Sequence, residues 1–386
     1  MSVFLAKRPI LWYEIGMSIT KLPMPRPLSL AIGAWFGVAP LCLAQTPGFH
    51  ALGSAPGTTY SVATALSADG RRAAGYSGTG TGFLWTDTSG RYDFGTEPGV
   101  LGSTASALSG DGTAVVGQAG GNEAFRWVGP GTYQRLGTFG GYPISKATSV
   151  SDGGAVVVGY AYNTQAAVSQ AFRWTAATGM VGLGYTGPTH AHSEARGISR
   201  DGNTIVGWSR DFLTGNADPF AWTQSGGMRV LPLLPGRNTG GAYAVSADGS
   251  FIVGGDSVGA VIWTPTGVQE LTPPAGWYRS GADHVSDDGQ VVLGSLLSTT
   301  QAVDAVWTPS TGFVPFLDYL ALNGISVPAG YTIRDVNAMS GDGRTFCGSL
   351  FMDATSPAQA FVVTVPAPGS LAGVGFGALM AARRRR

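Results

Sequence analysis

The chain has 386 residues, of which 44% are hydrophobic and only 12% charged, with 60 glycines, two cysteines and no formal net charge. Between residues 45 and 382 it carries 15 Lys plus Arg against 22 Asp plus Glu, a net of −7, with Lys146 the sole lysine. That balance argues against a nucleic-acid partner, whose binding rests on cations that neutralise phosphates.

In chain order, the first feature is an export segment. Lys21 and Arg26 precede an apolar run over 28–43, and Cys42-Leu43-Ala44 places small residues at both recognition positions, which predicts cleavage before Gln45 and a signal peptide over 1–44. Met17 and Met24 stand as alternative starts beside Met1. Cys42 lacks the small preceding residue of a lipoprotein site and reads as part of the cleaved signal. Cys347 is then the sole cysteine, so no disulfide forms within the chain, and its place inside a predicted strand assigns it a buried apolar role.

A short orphan strand, 49–53, comes next, followed by seven returns of the phrase Ala-x-x-(apolar)-Ser-x-Asp-Gly, with Gly153 for the Asp in the third and Val336 for the Ala in the last. Its serines are Ser67, Ser109, Ser151, Ser199, Ser246, Ser286 and Ser340, spaced 42, 42, 48, 47, 40 and 54 residues apart. Eight residues after each serine stands a glycine: Gly75, Gly117, Gly159, Gly207, Gly254, Gly294 and Gly348. The period suits a four-stranded β-propeller blade. In the second unit the strands are predicted at 105–109, 114–117, 124–127 and 133–136, with Gly, Asp or Pro between them. Six units end the third strand with Trp85, Trp127, Trp174, Trp222, Trp263 or Trp307, a recurrence that marks core packing; the seventh has Val363.

The last unit runs out after its third strand, at 361–365, and the orphan strand matches the fourth strands Arg135-Leu136-Gly137 and Gly182-Leu183-Gly184. The fold predicted is therefore an all-β, seven-bladed propeller of four-stranded blades over 45–365, closed by an N-terminal strand that completes the last blade and leaves no long free edge. The repeats resemble the HAF family of extracellular repeat proteins, named for a His-Ala-Phe tripeptide on the third strand; here Ala-Phe recurs in Glu123-Ala124-Phe125, Gln170-Ala171-Phe172 and Gln359-Ala360-Phe361 without the histidine. The resemblance implies a secreted propeller and supplies no active site.

The Ser-x-Asp-Gly phrase is similar to the Asp-box of sialidases, yet its chemistry is that of a tight turn, with Gly at positive φ and Asp accepting from backbone amides. The third unit has Gly153 in place of the Asp and keeps Gly159, which a turn tolerates better than a repeated ligand site does. These turns lie on one face of the disc. Connections of variable length, at 160–170, 185–194, 208–219, 234–241, 277–281 and 317–334, fall on the other, where a localised function belongs.

On that face, the position three before each serine is bland in three units, Thr64, Ser106 and Thr148, and chemically richer in four: Arg196, Tyr243, Asp283 with His284 beside it, and Asn337. These residues, with Trp208 and Trp277 as sugar-stacking candidates, form the predicted ligand site; the alternative is that they satisfy buried backbone groups or channel water. His190, His192 and Glu194 alternate along what reads as a loop and are weak metal candidates without a fourth ligand. No nucleophile elbow, phosphate loop or cysteine-histidine pair occurs, so no catalytic residue and no cofactor is assigned.

The chain ends in Val365-Pro366-Ala367-Pro368-Gly369, thirteen small and apolar residues over 370–382, and Arg383 to Arg386. The apolar run is shorter than the roughly 20 residues that span a bilayer. Over 366–386 the tail resembles the PEP-CTERM sorting signals of Gram-negative bacteria and planctomycetes, with Ala367 where the usual motif has Glu. That resemblance implies an exosortase partner and transient membrane association. The sequence thus reads as a secreted, monomeric propeller at the cell surface or in the extracellular matrix, with a non-catalytic role toward a polysaccharide or surface protein. The alternatives are a polysaccharide-acting hydrolase or lyase and a purely structural surface protein.

Overall fold

Each Ser-x-Asp-Gly phrase joins two antiparallel strands, the first ending just before the serine and the second carrying the glycine eight residues after it. The computed structural model describes residues 47–78, 80–95, 102–351 and 356–367 and is an all-β propeller with five four-stranded blades. The predicted export segment, 1–44, and the sorting segment from 368 on lie outside the described residues. Among the described residues no helix is long and apolar enough to cross a membrane.

In the Ser109 unit the strands are Ser103–Leu108, Val115–Ala119, Glu123–Trp127 and Gln134–Gly137, each bound within two residues of its predicted place. The Ser67, Ser246 and Ser286 units form blades of the same order. The Ser151 and Ser199 units share an eight-stranded sheet: two antiparallel meanders are joined by one parallel residue pair, Ser169 with His192. The Ser340 unit supplies three strands, and its sheet is completed by Gly48–Gly53 paired antiparallel with Gln359–Thr364. The placement inferred from 49–53 is therefore the one the strand takes, and Phe49 stacks on Phe361 at 5.0 Å. Two regions differ from expectation. Strands Val156–Asn163, Val168–Thr175, His190–Ile198 and Thr204–Asp211 extend into segments read as loops, and the helix Phe316–Leu322 lies at the start of the long 317–334 connection, burying Phe316 and Leu320.

A single steric demand fixes the repeated glycine. Every inner strand carries a bulge three residues before its serine, where the pairing register skips Thr64, Ser106, Thr148, Arg196, Tyr243, Asp283 or Asn337. The bulge turns the carbonyl five before the serine onto the glycine of the next strand. A Cβ on Gly75 would overlap the Val62 oxygen, on Gly117 that of Thr104, and on Gly348 that of Asp335. Across the sheet from Gly75, Gly117, Gly159, Gly207 and Gly348 lie Phe83, Phe125, Phe172, Phe220 and Phe361, all fully buried. Each such ring contributes about 1.5–3 kcal/mol through burial.

The turns are held as their chemistry predicts. Ser109 Oγ donates to Asp111 Oδ1 at 2.6 Å, Asp111 Oδ1 accepts from the Thr113 amide at 3.1 Å, and Ser109 Oγ accepts from the Ala114 amide at 2.9 Å. The same triad recurs at Ser67, Ser199, Ser246, Ser286 and Ser340. In the Ser151 unit the turn carboxylate is missing, Ser151 Oγ still accepts from the Val156 amide at 3.0 Å, and the Gly153 amide donates to Asp111 Oδ2 of the neighbouring unit at 2.8 Å. Against the cost of partial burial, the bonds from Ser109, Thr113 and Gly153 hold the Asp111 carboxyl below its ordinary range.

Neighbouring turns are tied to each other around the axis. The amides of Ala68, Asp152, Arg200, Asp287 and Gly341 donate to the carbonyls of Gly110, Arg200, Ala247, Gly341 and Ala68. The Asp111 amide donates to Asp152 Oδ1, and the Ala247 amide to the Asp287 carboxyl. The adjacent residues Gly254 and Gly255 test the steric argument. A Cβ on Gly254 would overlap the Gly241 oxygen, whereas on Gly255 its nearest neighbour is 3.4 Å away. Gly254→Ala is predicted to cost more than about 3 kcal/mol in chemical denaturation and Gly255→Ala less than about 1 kcal/mol. Equal costs would show that the bulge carbonyl is not what selects glycine.

Candidate functional site

A bulge re-aims the side chain of its extra residue, and here the extra residues differ in chemistry from unit to unit. Thr64, Ser106, Thr148, Arg196, Tyr243 and Asp283 line an axial cavity of about 210 Å³ that reaches down to Ala68, Arg200, Asp287 and Gly341 on the turn face. Three bulge residues stitch their unit to the following one. Thr64 Oγ1 donates to the Ala105 carbonyl at 2.9 Å, Thr148 Oγ1 to that of Ala195 at 2.7 Å, and Asn337 Nδ2 to that of Ala63 at 2.9 Å. Among the described residues Arg196, Tyr243 and Asp283 make no equivalent bond, and they face the cavity instead.

On the turn face, Arg200 Nη2 meets Asp287 Oδ2 at 2.6 Å, a link between units that are not neighbours in sequence. Gly110 and Gly341 make room for the pair: a Cβ on either would collide with the Arg200 guanidinium, and on Gly341 also with the Asp287 carboxylate. The ion pair thus lines the axial cavity at this end.

The opposite face has two adjoining cavities. One, of about 310 Å³, is lined by Ser106, Lys146, Thr148, Arg196, Tyr243, Asp283 and His284. The other, of about 520 Å³, lies between Arg196, Trp208, Arg210, Gly255, Asp256 and Arg279 and shares Arg196 and Tyr243 with the first. Burial pushes the Asp283 carboxyl up, with His284 and Arg196 opposing it, and pushes the His284 imidazole down. Because His284 Nε2 lies 2.8 Å from the Asn337 carbonyl, that nitrogen carries the proton. Burial also raises Glu194, against the pull of Arg196, Lys146 and Arg210. Asp304 is raised to about 6 by burial; the Val336 amide, 2.8 Å from its Oδ2, opposes this, and Asp335 and Asp283 add to it.

The residues singled out in the sequence separate in the structure. Arg196, Tyr243, Asp283 and His284 come together at the axial cavity, while the Asn337 side chain is committed to the Ala63 carbonyl. Trp208 lines the larger cavity with the Arg210 guanidinium 5.2 Å above its ring. Trp277 packs instead against a core cluster that includes Ala282 and Leu296. His190, His192 and Glu194 lie on a strand, and the register slips between the two histidines: His190 pairs with Asp211 and His192 with Arg210. Partners adjacent in sequence face opposite ways, so the imidazoles diverge. His190 Nδ1 lies 2.9 Å from Ser209 Oγ and His192 Nδ1 3.2 Å from Ser169 Oγ. Among the described residues no group of three His, Cys, Asp or Glu is placed to hold a metal ion.

Arg210 and Arg279 escaped the sequence reading, although the repeat contains their signal. Aligned on the serines, Arg210 stands where other units have Gly78, Gly120, Tyr162, Ser257, Leu297 and Phe351. Arg279 stands where they have Tyr60, Gly102, Ile144, His192, Thr239 and Ile333.

No protein-family model matches the chain, and no curated protein matches its sequence. Among solved structures, an oligogalacturonate lyase in complex with manganese is similar with a TM-score of 0.53 at 12% identity, covering 83% of this chain and 96% of that one. An oligogalacturonate lyase from Vibrio parahaemolyticus has a TM-score of 0.53 at 11% identity, covering 83% and 98%. TolB from Acinetobacter baumannii is more distant, with a TM-score of 0.41 at 15% identity over 66% and 62%. The first two likenesses establish the β-propeller fold.

Asp304 yields a signed pH prediction. Its folded carboxyl titrates near 6 and its ordinary value is 3.8, so stability falls as pH rises through that interval. Asp304→Asn keeps an oxygen for the Val336 amide and removes the charge. It is predicted to raise the melting temperature at pH 7.5, to have no such benefit below about pH 4, and to flatten the profile between. A variant no more stable than the parent at pH 7.5 would contradict the assignment.

Proposed function

We propose that the protein is an exported, seven-bladed propeller that acts at the cell surface or in the extracellular matrix, binding a glycan or a surface protein through the face opposite the Ser-x-Asp-Gly turns. The count of seven takes the eight-stranded sheet as two blades. It is supported by the single residue pair between its meanders and by the turn-to-turn links, which return from Gly341 to Ala68 after passing each of the seven phrases. Export, and sorting by an exosortase, rest on the sequence of 28–44 and of 365–386.

One observation carries the binding reading. Of the seven equivalent bulge positions, those with Thr64, Thr148 and Asn337 are used to join units, whereas Arg196, Tyr243 and Asp283, from three consecutive units, open together on one cavity that the small Ser106 and Thr148 side chains also line. Convergent polar and aromatic groups in a preformed cleft are the ordinary mark of a binding site. The full chain should bind its producer's extracellular material saturably, and Arg196→Ala and Tyr243→Ala should each weaken binding about tenfold or more. Retention of full affinity by both variants, or no binding by the parent, would refute the reading.

A second reading, a lyase or hydrolase acting on extracellular polysaccharide, is favoured by Asp283 and Glu194. Burial raises both carboxyls, the direction that a general acid requires. Two structural neighbours are oligogalacturonate lyases, so uronate polymers are the first to assay. If the reading holds, mass spectrometry will detect shortened products that disappear with Asp283→Asn or Glu194→Gln; intact polymer with the parent protein leaves binding alone.

A further inference from the structure

The Ser246 unit departs from the repeat in a way that opens a socket. Nine residues after the serine, the other units carry Tyr76, Gln118, Tyr160, Trp208, Ser295 and Ser349, and this one has Gly255. Five before the serine stand Val62, Thr104, Lys146, Glu194 and Asp335, against Gly241 here and Gly281 in the next unit. Gly241 and Gly255 are paired across adjacent strands and both line the cavity of about 520 Å³; the Tyr243 ring lies over Gly241, where a Cβ would meet its Cε1 at 2.9 Å, and the space at Gly255 is open. Packing does not demand the gap at Gly255. A Cβ on Gly255 would meet only the Gly259 oxygen at 3.4 Å and Tyr243 Cε2 at 3.9 Å.

The charge around the gap is one-sided. Arg196 and Arg210 enter from the unit before it and Arg279 from the unit after it. Among the described residues neither Arg210 nor Arg279 has a carboxylate within ion-pair distance, and Arg196 has Glu194 at 3.5 Å. The acidic residue in the wall, Asp256, is already engaged: Oδ1 accepts from the Val258 and Gly259 amides, and Oδ2 lies 3.4 Å from Arg237 Nε. Arg279 Nη2 reaches only the Asp256 carbonyl, at 3.4 Å. The flat rings of Trp208 and Tyr243 complete the walls.

We infer that the socket takes an acidic saccharide, a sugar bearing a carboxylate or sulfate group. Planar guanidinium forks match either oxyanion in paired hydrogen bonds, the aromatic walls offer flat surfaces to a sugar ring, and the open backbone at Gly255 leaves room for the ring beside them. The volume lies in the range of small-ligand cavities. The inference rests on the binding reading above and narrows it to a ligand class and to one place.

The test is calorimetric titration of the full chain with tetragalacturonic acid, a sulfated dextran oligosaccharide and neutral cellotetraose. Saturable binding of one or both acidic probes, with cellotetraose at least about tenfold weaker, is the expected result, and the tighter acidic probe identifies the group recognised. Arg210→Gln and Arg279→Gln should each lower affinity about tenfold. Gly255→Tyr restores the residue type of Tyr76 and Tyr160, so it should block the socket while the melting temperature is kept. Should Gly255→Tyr fail to fold, the two arginine variants decide. Equal affinity for the neutral probe, or a double arginine variant of unchanged affinity, overturns the inference and leaves the binding reading standing, as does binding of extracellular material without binding of any probe. Failure to bind either the material or the probes removes both.

Discussion

The molecule is organised around one collision avoided seven times. A bulge in each inner strand thrusts a carbonyl oxygen at the neighbouring strand, and only a residue without a Cβ leaves it space. The glycine that accepts the oxygen lies opposite a buried phenylalanine in five units, and at Gly75, Gly117 and Gly207 the same missing side chain admits the ring that fills the core. Fold and site share this origin. The extra residue that makes the bulge is freed from strand pairing and aimed at the axis, where unit-to-unit differences in side chain cost the sheet little.

Those axial positions divide between architecture and chemistry. Short hydroxyl and amide groups, Thr64, Thr148 and Asn337, satisfy the carbonyl of the following unit and hold the ring together. Longer or charged groups, Arg196, Tyr243 and Asp283, leave that bond unmade and gather on one side of the opening. At the other end Arg200 and Asp287 neutralise each other across the axis. The polarity of the disc, one end spanned by an ion pair and the other lined with open cations and carboxyls, therefore follows from which residue occupies each equivalent place.

Much of this could be read from the sequence because a repeat makes local physics visible. The turn chemistry of Ser109 and Asp111, the strand bounds of that unit and the pairing of 49–53 with the last strand were all predictable from spacing and turn residues. The bulge was not: the pattern Ala105-Ser106-Ala107-Leu108 reads as simple alternation, and a one-residue slip shows only when strands are paired. A second slip, between His190 and His192, parts two residues whose alternation implied a shared face. For Trp277 the sequence left sugar stacking and packing both open, because an aromatic beside glycine looks like an exposed platform until its core neighbours are placed. Arg210 and Arg279 were legible only by comparing each unit with its siblings, position by position, rather than by seeking a motif.

The strand Gly48–Gly53 carries one more consequence. It belongs to the sheet of Gln359–Thr364, so the contact that closes the structure joins residues about as far apart along the described chain as any two can be. Contacts of such separation form late and slowly, because the loop between them must first be ordered. Until residues near 360 are available, the inner strands can pair among themselves but the last sheet keeps an open margin. A chain cut short anywhere before its final strand therefore retains a vacant sheet edge, while an intact one hides it.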